Sequence, residues 1–271
     1  MHISRIYPHK PHKVYLYATC LVDMFDPETG VDAVALLEQL GIEVEYVPKQ
    51  TCCGQPAYTS GYTAEARTIA EHQMALFPEP IPIVILSGSC GGMMVHHYPR
   101  IFNDHPLHQQ AIAFSERVFE LTEFLTSVCH VQLTDKGNAT TVVVHTSCAA
   151  RREMNVHKHS AHLLSQLANV EVKSADYEEE CCGFGGTFSI RHPNISEAMV
   201  EDKTRNILNT GADQLISADW GCMLNINGAL EYQGQAFKGK HIARFLAERL
   251  KCHDALTEAR SQSTNHAGVN P

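Results

Sequence analysis

Two stretches decide the fold of this 271-residue chain: TCCGQPAYTSG at residues 51–61 and ECCGFGGTFSI at residues 180–190. Each contains two adjacent cysteines followed by a glycine, and each pair stands between two single cysteines. Corresponding cysteines of the two sets are 128 to 132 residues apart, so the register changes little. The cysteines therefore mark an internal repeat. The first set is Cys20, Cys52, Cys53 and Cys90, and the second set is Cys148, Cys181, Cys182 and Cys222.

The residues around the cysteines repeat as well. YLYATC at residues 15–20 resembles VVVHTSC at residues 142–148, and VILSGSCGGMM at 84–94 resembles LISADWGCMLN at 215–225. Two versions of one structural unit are therefore present, and both lie within the first 260 residues.

These repeats predict the domain organisation. Residues 1–130 are assigned to a first repeat unit and residues 131–260 to a second. The last stretch, SQSTNHAGVNP at 261–271, has no apolar periodicity and few groups to bury, so we expect a disordered tail.

Short β-branched or aromatic runs alternate with helical patterns in both units. This alternation predicts an α/β fold of right-handed β-α-β units with mostly parallel sheets. Strands are predicted at 14–19, 42–47 and 81–86 and at 141–146, 170–173 and 213–217; helices are predicted at 31–40, 63–77, 153–168 and 194–208.

Every cysteine of the two sets follows the C-terminal end of a predicted strand. Cys20, for example, comes after the strand at 14–19, and Cys90 comes after the strand at 81–86. Loops converge at that edge of an open parallel sheet, and ligands collect there. We therefore expect four thiols from three loops to meet at one point in each unit.

Four converging thiols predict a metal centre, because soft thiolates select iron-sulfur clusters or zinc. Structural zinc usually takes two ligands from each of two tight turns, whereas these ligands arrive singly or as an adjacent pair. Two iron-sulfur clusters are therefore expected. A zinc-thiolate interaction module without a redox role remains the alternative. Cys129 and Cys252 lie outside the repeat, on helices predicted at 113–130 and 241–253, where we expect them to be buried as small hydrophobic residues.

Composition restricts the partners and the compartment. With 30 acidic and 21 basic residues the net charge is −9, and no Lys/Arg cluster is present that would follow nucleic acid. Ten cysteines without an export signal favour the reducing cytoplasm. No apolar stretch approaches the roughly 20 residues needed for a transmembrane segment. The predicted location is therefore the cytoplasm, with docking at the inner face of the membrane as the alternative.

The cysteine pattern resembles the cysteine-rich CCG-domain family, in which a single Cys is followed by CCG and then by CxxC. The disulfide-cleaving subunit of heterodisulfide reductase and the glycolate oxidase iron-sulfur subunit are members. ATCLVD at 18–23 and CCGQPAYTSG at 52–61 are most similar to the lactate-utilisation protein A group. That resemblance implies an electron-transfer subunit of a multi-subunit complex oxidising L-lactate to pyruvate. It also implies a ferredoxin-type iron-sulfur protein and a third subunit as partners, and it assigns no catalytic residue.

The chain departs from the family in its last element, where the leading cysteine of CxxC is replaced by Ser87 and Asp219. In the heterodisulfide reductase member of the family, five cysteines hold a non-cubane double cluster that cleaves a disulfide. The four remaining thiolates suit an ordinary 4Fe-4S cluster and an electron relay. A thiol-disulfide reductase of the heterodisulfide type is the other alternative.

A run of three carboxylates, Glu178–Glu180, directly precedes Cys181. Negative charge near a cluster disfavours the addition of an electron, so the second cluster would have the lower potential if these side chains pointed inward. Such a run is more often a solvated face.

Overall fold

The computed structural model describes residues 5–252, which form two halves with the same strand order. Each half contains four strands. They are β1 (Lys13–Tyr17), β2 (Glu43–Tyr46), β3 (Ile83–Ile85) and β4 (Val118–Glu120), followed by β5 (Thr140–His145), β6 (Val170–Lys173), β7 (Gln214–Ser217) and β8 (Gly239–His241). The sheet orders are β2-β1-β3-β4 and β6-β5-β7-β8, and all neighbouring strands are parallel. The predicted α/β fold with two repeats is confirmed.

Helices connect the strands in both halves. The first half has α1 (Cys20–Phe25), α2 (Pro27–Gln39), α3 (Gln55–Thr59), α4 (Thr63–Leu76), α5 (Gly88–Gly92), α6 (Tyr98–Ile101), α7 (His108–Ser115) and α8 (Leu121–Glu123), with π-helical turns at Met93–His97 and Phe124–Val128. The second half has α9 (Cys148–Met154), α10 (Val156–Leu164), α11 (Phe188–Arg191), α12 (Pro193–Asn209), α13 (Trp220–Tyr232) and α14 (Ile242–Leu250). In the part of the chain described, no helix has both the length and the apolar character needed to cross a bilayer.

The central strands are buried on both faces, as expected for parallel sheets covered by helices. In β1 the side chains of Val14 and Leu16 enter one hydrophobic cluster, whereas Tyr17 on the opposite face enters another. The first cluster also contains Val142 and Ile216 of the second sheet. The inner faces of the two sheets therefore share one core, while each outer face has a core of its own.

The two halves are joined by contacts that come in pairs, because each contact has a counterpart between the corresponding elements of the repeat. Helix α5, after the third strand of the first half, packs against α9, after the first strand of the second half. The counterpart contact joins α1 and α13, and a backbone hydrogen bond from the Gly88 N–H to the Ala218 carbonyl (3.3 Å) crosses the same seam. Four helices that contain predicted ligands therefore contribute to the contact between the halves, together with α2, which packs against α14, and α8, which packs against α10.

Two strands were missed by the sequence patterns. The helix predicted at 113–130 is wrong, because α7 ends at Ser115 and β4 intervenes before α8. The fourth strand of the second half, β8, was likewise not predicted. Each has three residues and is too short to show an alternating pattern, and each ends in a buried side chain that caps the next helix: Glu120 for α8 and His241 for α14. The single helix predicted at 153–168 is replaced by the end of α9 and the shorter helix α10, because Asn155, with a φ of 53°, separates the two.

The boundary between the units at residue 130 remains a prediction, and the predicted tail at 261–271 lies outside the described residues.

The contact between α5 and α9 leaves no room for a side chain at Gly88, so Gly88→Ala should destabilise the protein. A Cβ atom there would lie 2.3 Å from the Cβ of Ala150, a buried residue of α9. We expect a loss of about 1–3 kcal/mol in the free energy of unfolding, measured by denaturant titration. Gly30→Ala in α2 is the control, since its Cβ would meet nothing within 4 Å. That change should stabilise the protein by about 0.5–1 kcal/mol, and equal stabilities of the two variants would contradict the packing described.

Candidate metal centres

The first cysteine set converges at the C-terminal edge of the first sheet. Cys20 is the first residue of α1, after β1; Cys52 and Cys53 lie on the loop between β2 and α3; Cys90 lies in α5, after β3. The thiols interact in sequence, Cys20 with Cys52, Cys52 with Cys53, and Cys53 with Cys90. Three loops thus bring four thiols together, as the topology predicted.

The second set has the same arrangement at the edge of the second sheet. Cys148 begins α9, Cys181 and Cys182 lie on the loop after β6, and Cys222 lies in α13, after β7. The Sγ atoms of Cys148 and Cys181 are 4.0 Å apart, and Cys182 interacts with both Cys181 and Cys222. We call the two groups of four cysteines the first and the second quartet.

The glycine of each CCG turn is required by its backbone conformation. Gly54 has a φ of 86° and Gly183 a φ of 82°, in the left-handed region that glycine adopts without steric cost. This conformation directs the Gly54 N–H to the Sγ of Cys52 and the Gly183 N–H to the Sγ of Cys181, both at 3.4 Å. Each turn therefore provides a backbone donor to the first sulfur of its pair.

These donors favour a thiolate at the first cysteine of each pair. The pKa of Cys52 is lowered to about 3 by hydrogen bonds from the thiols of Cys20 and Cys53 and from the Gly54 N–H. The pKa of Cys181 is lowered to about 2 by the corresponding thiols and the Gly183 N–H. The same hydrogen bonds raise the pKa of the thiols that donate them, which are Cys20, Cys53, Cys148 and Cys182. Each turn therefore favours one thiolate, the form that binds metal, at the first cysteine of its pair.

The helices that follow the third strands hold the CCG loops in place. The hydroxyl of Tyr98 donates to the carbonyl of Cys53 (2.9 Å), and the side-chain amide of Asn225 donates to the carbonyl of Cys182 (2.7 Å). Neither residue was predicted from the sequence, because the two halves use different side chains for this contact, a phenol and an amide. Their positions shortly after Cys90 and Cys222 were the only signal available.

The side chains that replace the missing cysteines have other partners. The Asp219 carboxylate accepts a hydrogen bond from the Ser89 N–H of the other half (3.0 Å), and the hydroxyls of Ser87 and Ser89 are 3.1 Å apart. Asp219 is 3% exposed. These side chains are thus engaged within the protein, and the Asp219 bond connects α5, which contains Cys90, to the start of α13, which contains Cys222.

The surroundings of the two quartets differ in the last residue of the first strand of each half, β1 or β5. In the first half this residue is Tyr17, whose hydroxyl donates to the carbonyl of Thr51. In the second half it is His145, and a ring nitrogen of His145 and the Sγ atoms of Cys182 and Cys222 all lie within 4.8 Å of one another. The pKa of Cys222 is lowered to about 6, first by a hydrogen bond from Cys182 and then by His145.

Two of the three carboxylates in the run before Cys181 are paired with a neighbouring arginine. Arg151 of α9 forms ion pairs with Glu178 and, at 2.9 Å, with Glu179. Glu180 is exposed. The hypothesis that these carboxylates point at the second quartet has no support in this geometry.

Cys129 and Cys252 take no part in either quartet. Cys129 packs against the shared core, and the Cys252 thiol donates to the side-chain oxygen of Gln39 (3.2 Å). Burial raises the pKa of both thiols to about 11. Both are therefore held as neutral thiols; Cys252 is buried, as expected, whereas Cys129 is only half-buried.

The residues present fit a metal-thiolate centre in each half. The donors are soft and half-buried to buried, they come from three separate loops, and a backbone N–H supports one thiolate in each set. Cys20, Cys52, Cys53 and Cys90 could hold one centre; Cys148, Cys181, Cys182 and Cys222 could hold the other.

Family comparison agrees with this arrangement. The model of the cysteine-rich CCG domain matches residues 14–95 and again residues 142–227, one match in each half. The chain belongs to the family of cysteine-rich CCG-domain proteins.

Among curated relatives, the chain is similar to proteins named for lactate utilization. It is 41% identical over 241 residues to lactate utilization protein A 1 of Bacillus mycoides, covering 88% of this chain and 98% of that one. It is 42% identical over 240 residues to lactate utilization protein A of Bacillus cytotoxicus, covering 88% and 99%. The resemblance to the lactate-utilisation protein A group is thus confirmed.

A solved structure shares the fold. A hypothetical protein from Helicobacter pylori superposes with a TM-score of 0.62 at 13% identity, over 90% of this chain. The chain spans half the length of that protein. At this identity the likeness shows the fold alone.

The two CCG glycines should differ in their tolerance of a side chain. Alanine at either position must adopt a positive φ, at a cost of about 1–2 kcal/mol. At Gly183 a Cβ would also lie 2.7 Å from the carbonyl oxygen of Ser196, whereas at Gly54 the nearest atom is a side-chain carbon of Ile69 at 3.3 Å. Gly183→Ala should therefore lower the melting temperature more than Gly54→Ala, measured by calorimetry of the two variants. The reverse order would contradict the turn geometry.

Proposed function

We propose that this chain is the electron-transferring iron-sulfur subunit of a multi-subunit complex that oxidises L-lactate to pyruvate. The observation that carries the proposal is the repeated convergence of four interacting thiols at a sheet edge. The substrate comes from the names of the relatives, which are lactate utilization proteins. A cluster bound by each quartet, expected to be of the 4Fe-4S type, would supply a carrier of single electrons.

The protein's own residues support a relay in three ways. The second cysteine of each pair is 2% exposed, which keeps water from part of each centre. The backbone N–H groups of Gly54 and Gly183 stabilise negative charge on the adjacent sulfur. The bond between Ser89 and Asp219 joins the neighbour of Cys90 to the residue three positions before Cys222, across the seam between the halves.

Other subunits must complete the reaction path. The sequence has no GxGxxG fingerprint after its first strand for a flavin or nicotinamide. A ferredoxin-type iron-sulfur protein and a third subunit are therefore proposed as partners, in the cytoplasm or at the inner face of the membrane.

The engaged oxygens of Ser87 and Asp219 favour a relay over a disulfide reductase. The family's double cluster uses a fifth thiolate, and an oxygen atom is a poor substitute on iron-sulfide. A reductase would turn over a heterodisulfide with a reduced donor, and we expect no turnover from the cluster-loaded chain. A zinc module would be colourless, whereas an iron-sulfur protein prepared without oxygen is brown.

Replacement of Cys52 or Cys53 by serine should remove about half of the bound iron, because each half assembles its own centre on its own strand ends. The measurement is iron per folded chain after anaerobic reconstitution. Cys129→Ser and Cys252→Ser are the controls, since neither thiol belongs to a quartet, and both should keep all the iron. Iron that falls to zero or does not change in a soluble Cys53→Ser variant would contradict two independent sites.

A further inference from the structure

A cleft of about 490 Å³ lies at the seam between the two halves. On the side of the first half it is lined by the end of the π-helical turn Met93–His97 and by Arg100, and on the side of the second half by residues 152–155, where α9 ends. Its volume falls within the roughly 300–1,000 Å³ that is typical of small-molecule sites. The proposed electron relay gives this cleft, which we call the seam cleft, no role.

The carboxylates of the seam cleft are held by hydrogen bonds within the protein. Arg5 donates to both oxygens of Glu123, each at 3.0 Å. Nε2 of His97 lies 3.0 Å from Oε1 of Glu153, whose other carboxylate oxygen is buried away from solvent. Three arginines and two glutamates line the cleft, so its formal charge is +1 with neutral histidines, whereas that of the whole chain is −9. The cleft is therefore a place where a negatively charged ligand can approach this acidic protein.

Two arginines of the seam cleft remain free to bind such a ligand. Arg100 and Arg152 are exposed, and within residues 5–252 neither guanidinium has an ion pair or a hydrogen bond. A guanidinium presents five N–H donors in a planar fork that matches the oxygens of a carboxylate or a phosphate. These two side chains provide the positive charge that the carboxylates of the cleft do not use.

The seam cleft also offers surface to the carbon part of a ligand. Met154 is 5% exposed and belongs to the core shared by the two sheets, and the half-buried Val95 packs against the same core. Beside them, the side-chain amide of Asn155 makes no hydrogen bond within the described part of the chain. An apolar surface with a few polar groups is typical of sites for organic molecules rather than for inorganic ions.

We propose that the seam cleft binds an organic anion, whose phosphate or carboxylate group is held by Arg100 and Arg152 and whose carbon part lies against Val95 and Met154. The binding site is separate from the quartets. It is nevertheless close to the second one, because Arg152 follows Cys148 in α9 by four residues, about one helical turn.

Isothermal titration calorimetry of the full chain tests this site. AMP is the probe for a phosphate, citrate is the probe for carboxylates, and adenosine is the uncharged control for AMP. We expect saturable binding of AMP, of citrate or of both, no binding of adenosine at the same concentrations, and weaker binding at higher salt, because the two arginines are exposed. Iron per chain is measured in the same samples, so that the outcome for this site is independent of the outcome for the iron-sulfur centres.

Variants of the two arginines connect the binding to the cleft. Arg100→Ala and Arg152→Ala should each weaken the binding of the anion at least about tenfold, since each removes a charge-assisted hydrogen bond. Both variants should keep the wild-type melting temperature, because neither guanidinium has a partner to lose. The control is Arg205→Ala in α12, an exposed arginine that pairs with Asp202, and it should bind the anion as the wild-type chain does.

The two probes also identify the chemistry of the ligand. Binding of AMP alone would support a phosphate as the group held by the arginines, and binding of citrate alone would support a carboxylate. No saturable binding of either anion up to about 10 mM, equal binding of AMP and adenosine, or wild-type affinity in both arginine variants would overturn the site.

Discussion

The rest of this structure depends on one constraint: the C-terminal ends of parallel strands lie at the same edge of the sheet. In each half the first strand lies between the second and the third, so the loops that follow it and the third strand border one crevice at the C-terminal edge. The CCG loop after the second strand closes this crevice. Single cysteines in the first turns of helices and an adjacent pair on a glycine turn are then sufficient to gather four thiols, although 70 residues in the first quartet and 74 in the second separate the first cysteine from the last.

The same elements join the halves of the molecule. Helices α1 and α9 begin with a cysteine, α5 and α13 contain one, and these four helices pack in pairs across the seam. The Gly88 backbone and the Asp219 carboxylate make their hydrogen bonds there. The sites and the interface therefore share these helices, an arrangement that suits the exchange of electrons proposed for the two centres.

Much of the fold could be predicted from sequence because the cysteines report it directly. Their common offset reveals the repeat, and the strand before each of them reveals the parallel sheet. Strands β4 and β8 could not be found this way, since three residues show no period and the cysteines that follow them, Cys129 and Cys252, belong to neither quartet. The pairing of Glu178 with Arg151 was equally hidden, because a run of charge does not indicate which distant side chain neutralises it.

The candidate site was predicted less completely than the fold. Reasoning from thiols identified the eight cysteines but passed over His145, which lies in the quoted stretch VVVHTSC at the place of Tyr17 in YLYATC. Only the burial of the ring and its approach to two sulfurs distinguish it from an ordinary core histidine. Tyr98 and Asn225 were missed for a similar reason. Each donates a hydrogen bond to a backbone carbonyl of its CCG loop, and such a contact leaves no pattern in the sequence.

The central claim is that each half of the chain holds one iron-sulfur cluster on its own four thiolates. Analysis of iron and acid-labile sulfide after anaerobic reconstitution, combined with low-temperature paramagnetic resonance, tests it most directly. We expect about eight irons and about eight sulfides per chain, the sum of two four-iron clusters, with cubane-type signals on reduction. Zinc in place of iron, about four irons per chain, or a spectrum unlike any cubane with Ser87 or Asp219 bonded to iron would contradict it.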